Sequence, residues 1–143
     1  MAELSPYLYF SGRCEEAIRF YEKSVGAEPG MLMRFRESPD PVPEELLPPD
    51  FGDKVMHAEI QIKGRVLLLS DGCNDQPQFS GFSLAFRVDS KEEAQELFNG
   101  LADGGEVTIP LGPTFWSPCY GMCTDRFGIS WMVMVSGTPE EGN

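Results

Sequence analysis

The sequence of 143 residues holds a single histidine and only 11 basic residues against 23 acidic ones, and both scarcities narrow what the chain can do. A net charge of -12 opposes the nucleic-acid backbone and an anionic membrane surface alike, so neither is an expected partner. Long apolar runs are missing as well. No segment approaches the roughly 18 apolar residues of a spanning helix, and Met1 to Pro6 has no basic stretch leading into an apolar one. Cytoplasmic residence is therefore expected. Cys119 and Cys123 form a C-x3-C pair, but His57 is far off in sequence and no second paired-cysteine motif exists, which leaves structural zinc unsupported. Together with Cys14 and Cys73 they read as reduced, buried thiols.

What is present is length for one core, with about 68–70% of the unfolded surface buried on folding, and a repeated pattern. Leu4 to Phe10 reads as a strand, and after Ser11-Gly12 the apolar residues Cys14, Ala17, Ile18, Tyr21 and Val25 recur at helical spacing until Gly26. The second half repeats this: Phe82 to Val88 alternates as a strand, Ser90 to Glu93 is a capping box, and Ala94, Leu97, Phe98 and Leu101 form the helical stripe. A shift of 77 residues lays Tyr9 on Phe86 and Tyr21 on Phe98. Further strand candidates follow each helix: 28–35, 54–63 and 65–70, then 106–110, 114–124 and 128–135. Each half reads βαβββ, an α+β arrangement and not a doubly wound nucleotide fold. The expected modules are 1–75 and 76–135 within one domain, with 136–143 as a disordered tail. Between Glu37 and Asp53, five prolines and six acids interrupt both periodicities, so this segment must be a long loop, either a solvated insertion or a lid over a neighbouring pocket.

Two such halves are what the vicinal oxygen chelate (glyoxalase/bleomycin-resistance/dioxygenase) fold looks like, with the strands curling into a cup-shaped mixed sheet. The resemblance narrows at Pro6 to Phe10, Cys14 to Tyr21, His57 to Glu59, Leu69 to Asp71, Phe115-Trp116 and Thr124 to Met132. Over nearly the whole chain these resemble the PhnB-like (YjdN-like) proteins. The resemblance carries no settled reaction. Relatives often bear a ubiquinone-methyltransferase label, yet no glycine-rich strand-to-helix turn is present to hold S-adenosylmethionine, and Gly104-Gly105 ends a helix. No cofactor is expected.

Superfamily enzymes bind a divalent metal through inward His and Glu side chains. Carried over by position, those ligands fall on Pro6, Ser83 and Met132, none of them suited to a hard cation, so the resemblance implies that the usual metal site is missing. A period of two then puts Ser83, Ala85 and Arg87 on one strand face and Ser130, Met132 and Met134 on another, which makes Ser83, Arg87 and Met132 candidate ligand-binding residues. Trp116 and Tyr120, on one face of the penultimate strand, can stack on a flat ligand or pack in a core or interface. His57 shares a face with Glu59 and Gln61. That pair can be an acid/base couple or two metal ligands, or it can simply hydrogen-bond on a solvated or dimer-facing surface. Asp71, Asp125 and Gly128 read most simply as turn residues.

The expected function is small-molecule binding, with sequestration of an anionic or oxygen-rich ligand and homodimerisation, a habit of the superfamily. The alternative is a metal-dependent lyase, isomerase or dioxygenase using His57 and Glu59. A third reading is an interaction module whose acidic loop docks on a basic partner.

Overall fold

In the computed structural model, which describes residues 2–137, the chain forms two compact units, Met1–Gln78 and Phe79–Asn143. The first contains β1 (Tyr7–Tyr9), α1 (Cys14–Val25), β2 (Glu28–Arg34), β3 (Val55–Ile62) and β4 (Arg65–Ser70). Its strands lie in the order β1-β4-β3-β2, with β1 parallel to β4 and the other neighbours antiparallel. The second contains β5 (Leu84–Val88), α2 (Lys91–Ala102), β6 (Glu106–Gly112), β7 (Tyr120–Thr124) and β8 (Ser130–Val135). It repeats the order as β5-β8-β7-β6. The chain is thus α+β, two βαβββ modules with a four-stranded mixed sheet and one helix each. Ser136 and Gly137 form a bend, and residues 138–143 of the expected tail lie outside the described residues.

Each sheet buries one face against its helix. Cys14, Ala17, Ile18, Tyr21 and Val25 are all buried on α1, because a spacing of three and four residues collects them on one stripe. Gly26 ends that helix in the left-handed conformation at φ 70°, where a residue with a Cβ is strained. On α2 the Ser90 hydroxyl accepts from the Glu93 amide at 3.1 Å. Opposite the helices, Leu8, Ala58, Ile60, Leu67 and Leu69 are buried in the first sheet, and Val88, Cys123, Trp131, Val133 and Val135 in the second. Gly121 admits the close approach of α2: a Cβ there would stand 2.9 Å from Phe98 Cε1.

The 77-residue repeat fits the helices, since Cys14 and Val25 map onto Lys91 and Ala102. It fails on the first strands. Tyr9 is 52% exposed, whereas Phe86 stacks on the buried Trp131 at 5.4 Å. The buried residues Leu8 and Phe10 therefore correspond to Phe86 and Val88, and the connection into α1 is longer by one residue. Ser11 and Gly12, at φ 51° and 109°, absorb the extra residue. The same shift of 77 lays Pro6 on Ser83, and these two positions are accordingly out of phase in three dimensions.

The proline-rich segment carries 3-10 turns at Phe35–Glu37, Glu44–Leu46 and Phe51–Asp53. Its ends are fastened together. Phe35 and Phe51 are buried with ring centroids 6.1 Å apart, the Phe35 amide donates to Lys54 O at 3.1 Å, and the Arg34 guanidinium donates to Asp53 O at 2.8 Å.

The expected strand over 114–124 starts only at Tyr120. Pro113 and Pro118 flank a turn in which the Thr114 amide donates to Ser117 O at 2.9 Å and the Ser117 amide donates to Thr114 Oγ1 at 3.1 Å. Two aspartates read as turn residues do more than turn the chain. Asp71, 1% exposed, accepts from the amides of Gly12 (2.7 Å), Cys14 (2.8 Å) and Val55 (2.8 Å). Asp125, 3% exposed, accepts from the amides of Phe127 and Ile129 and from Trp131 Nε1 at 2.8 Å.

All four cysteines are free, but Cys73 is exposed and Cys119 only half-buried, so the expectation of uniformly buried thiols is corrected at both, most of all at Cys73. It follows Gly72 in the turn after β4, where no side chain covers it by necessity. Burial, with Asp125 adding, pushes the Cys123 thiol up to about 11, and burial raises the Cys14 thiol still further. Iodoacetamide at pH 8 is therefore expected to label Cys73 in the native protein and to reach Cys14 and Cys123 only after unfolding. Peptide mass mapping checks this, and native labelling of Cys14 would contradict it.

Candidate functional site

The face of each sheet turned away from its helix collects the candidate residues. In the second unit, cross-strand register sets Ala85 beside Met132 and Arg87 beside Met134. On the other side of β8 it sets Met122 beside Met132, Tyr120 beside Met134 and Thr124 beside Ser130. Ser83 joins this face through a 2.7 Å hydrogen bond between its hydroxyl and that of Ser130. Trp116, although on the turn and not on a strand, still meets Tyr120 edge-on at 5.2 Å, and Phe115 packs against Trp116 at 4.7 Å while remaining 88% exposed. Half-buried Met134 thus lies between Tyr120 and the exposed Arg87, with the half-buried Met132 and Met122 in the neighbouring row. Among the described residues Arg87 makes no ion pair, neither with the nearby Asp89 nor with a glutamate of α2. Met122 was not among the expected site residues, although it alternates with Trp116 and Tyr120 whichever residue starts the strand. Counting by two from Tyr120 would have found it.

His57 and Glu59 stand in the first unit, on the corresponding face of β3. Met33 of β2 lies beside His57, and Tyr7 and Tyr9 of β1 face the same way from positions beside Leu68 and Ser70. The Tyr7 hydroxyl and His57 Nδ1 share a hydrogen bond of 2.9 Å, and the Tyr7 and Tyr9 rings stack at 5.0 Å. Neither tyrosine was singled out as a site residue. Alternation along β1, with Leu8 pointing to the helix, was the available signal.

A metal held by His57 and Glu59 would need further ligands. Among the described residues no group of three or more His, Cys, Asp or Glu side chains is gathered, and the Asp71 carboxylate is engaged by three amides. A separate cavity of about 420 Å³ in the first unit is lined by Gly12, Glu15, Arg34, Asp53, Lys54 and Asp71, among others. Its polar groups are largely engaged: Arg34 grips both Glu15 oxygens at 3.0 Å, and Lys54 Nζ donates to the backbone carbonyl Gly12 O at 2.9 Å. Hydrogen bonding from Arg34 holds the Glu15 carboxyl below its ordinary value.

Two successive βαβββ units, each with a helix on one face of its sheet, define a protein of the glyoxalase/bleomycin-resistance/dioxygenase fold. A domain of that description from Frankia sp. EAN1pec shares this fold at a TM-score of 0.63 and 18% identity, covering 96% of this chain and 97% of that one. Residues 2–134 match the family described as 3-demethylubiquinone-9 3-methyltransferase, and the chain belongs to this PhnB/YjdN-like family. Protein YjdN of Escherichia coli (strain K12) is 34% identical over 140 residues, covering 92% of this chain and 94% of the relative. The crystal structure of PA1353 from Pseudomonas aeruginosa is similar at 41% identity and a TM-score of 0.82, covering 95% of this chain and 98% of that one. The PhnB protein from Bacillus cereus, described as a putative 3-demethylubiquinone-9 3-methyltransferase, is similar at 25% identity and a TM-score of 0.77, covering 94% and 100%.

The methyltransferase description implies S-adenosylmethionine, and the residues present do not fit it. Neither strand-to-helix connection is glycine-rich. At the start of α1 the Gly12 and Cys14 amides are already bonded to Asp71, and at α2 the Glu93 amide is bonded to Ser90.

Proposed function

We propose that this chain binds a small anionic or oxygen-rich molecule on the free face of the second sheet, and sequesters it instead of converting it. Arg87 carries the reading: an exposed guanidinium without an ion pair among the described residues, at the edge of an apolar patch of methionines and aromatics. A guanidinium grips a carboxylate, phosphate or phosphonate with two parallel bonds, and flexible thioethers adapt to the apolar remainder of a ligand. The paired hydroxyls of Ser83 and Ser130 offer further hydrogen bonds, while Trp116 and Tyr120 offer a flat contact. On β5, β7 and β8 no carboxylate, imidazole or thiol stands among the register-paired residues of this face, and the carboxylate in register with it, Glu106, lies beside Thr124 on β6, which favours holding a ligand at Arg87 over acid/base chemistry there.

A thermal-shift screen of small carboxylates, phosphates and phosphonates tests the reading. Anionic hits are expected to stabilise the wild type and to bind Arg87→Met about 10- to 100-fold more weakly, the loss of a charge-assisted bond of about 1.5–3 kcal/mol. Stabilisation that survives unchanged in Arg87→Met removes Arg87 from the site. We further propose a homodimer held by non-covalent contacts and a cytoplasmic location. Light scattering should give twice the chain mass with and without dithiothreitol, and collapse to monomer under reductant would overturn the non-covalent dimer.

A further inference from the structure

On the free face of the first sheet a donor and an acceptor stand unspent, two residues apart on one strand. His57 meets Tyr7 through Nδ1 at 2.9 Å, while its Nε2 has no partner among the described residues. The half-buried Glu59 carboxylate likewise makes no hydrogen bond or ion pair among the described residues. Side chains two apart on a strand rise from Cα atoms about 6.6 Å apart, within reach of a single small group between them. Both side chains are half-buried, so a small molecule can reach the pair from solvent.

Burial keeps the Tyr7 phenol above its ordinary value, Tyr9 adding and the Ser70 hydroxyl opposing, so the phenol retains its proton at neutral pH and can donate to Nδ1. In the neutral imidazole the remaining proton then sits on Nε2, facing outward as a donor. Charge narrows the occupant. Tyr7, Tyr9, His57, Glu59 and Gln61 bring no cation to this face, and the Glu59 carboxylate repels an anion. Tyr7 and Tyr9, 39% and 52% exposed and stacked at 5.0 Å, give the site an apolar wall.

We propose that Tyr7, His57 and Glu59 form a recognition site for a neutral, flat ligand whose edge sets an acceptor beside a donor, as a carboxamide or lactam does. His57 Nε2–H donates to the ligand carbonyl, and Glu59 accepts from the ligand N–H. Tyr7 is a positioning residue that selects the tautomer. This site does not depend on the anion reading of the second sheet.

With one histidine in the chain, imidazole ¹⁵N spectra report this site alone. The wild type is expected to show the Nε2–H tautomer, and benzamide should move the Nε2 resonance saturably while benzoate, of the same shape, does not. Tyr7→Phe keeps the ring stack but should populate both tautomers and weaken benzamide about tenfold, the equivalent of one hydrogen bond. Circular dichroism confirms that the variant is folded. Glu59→Leu should weaken benzamide about tenfold and narrow its advantage over benzoate, because the acceptor for the amide N–H and the charge that repels the carboxylate are removed together. The proposal is overturned if benzamide leaves the resonance unmoved, if benzoate moves it equally, or if Tyr7→Phe retains both tautomer and affinity.

Discussion

Replacing Asp71 by asparagine is expected to lower stability by about 3 kcal/mol, and replacing it by alanine by about 3–5 kcal/mol, because a buried acceptor of three amide bonds is lost. The carboxylate is 1% exposed and ties the leading turn of α1, through Gly12 and Cys14, to the first residue of β3, Val55. An ionised carboxylate offers only acceptors. Asparagine keeps one oxygen but turns an NH2 group toward an amide that is itself a donor, so a bond becomes a clash of like dipoles and an N–H is left buried without a partner. The melting temperature should fall by roughly 10 °C for a chain of this size. The exposed Asp75 is the control, since Asp75→Asn should stay within about 0.5 kcal/mol. A melting temperature for Asp71→Asn indistinguishable from that of the control would show that the three amide bonds contribute little.

Gly105→Ala is expected to cost more than about 3 kcal/mol, through backbone contact and not through conformational preference. A Cβ at residue 105 would lie 2.1 Å from Thr124 O and 2.9 Å from the Asp125 carbonyl carbon. Neither atom can give way freely. Glu106 is paired in register with Thr124, and Asp125 is held by the Phe127 and Ile129 amides and the Trp131 indole. Gly112, at the far end of the same strand, has nothing within 4 Å of a built Cβ, so Gly112→Ala should be nearly silent. Urea unfolding of the two variants separates the explanations: equal midpoints would mean that the hairpin between β6 and β7 accommodates the methyl group by a shift that the contacts do not suggest.

Neither large effect was visible in the sequence. Asp71 and Gly105 sit where ordinary turn residues sit, and composition there is the same for an aspartate in solvent as for one that collects three amides. What local spacing does specify is periodicity. The stripe Cys14, Ala17, Ile18, Tyr21 and Val25 could bury one side only as a helix, and the alternation around His57 could do so only as a strand, so both helices, the caps at Gly26 and Ser90 and the faces of β3 and β8 were legible, whereas Arg13 and Asp103 flank the other two helix ends in place of the glycines. The doubled βαβββ pattern, hence the fold, followed from those elements.

Register between distant segments was not legible, because it depends on which backbone groups find each other. The sequence alone does not say that Ser11 and Gly12 absorb one extra residue and put Tyr7 and Tyr9 on the free face, nor that Tyr7 reaches His57. It places Arg87 and Met132 on strand faces, but only the parallel pairing of β5 with β8 makes those faces one surface. The sequence by itself determined the number, kind and order of elements, since burying an apolar stripe is a local requirement that spacing either meets or does not. The tertiary structure alone decided which unspent donors, acceptors and charges share a surface, since a hydrogen bond or a cross-strand contact exists only at distances that chain closure sets.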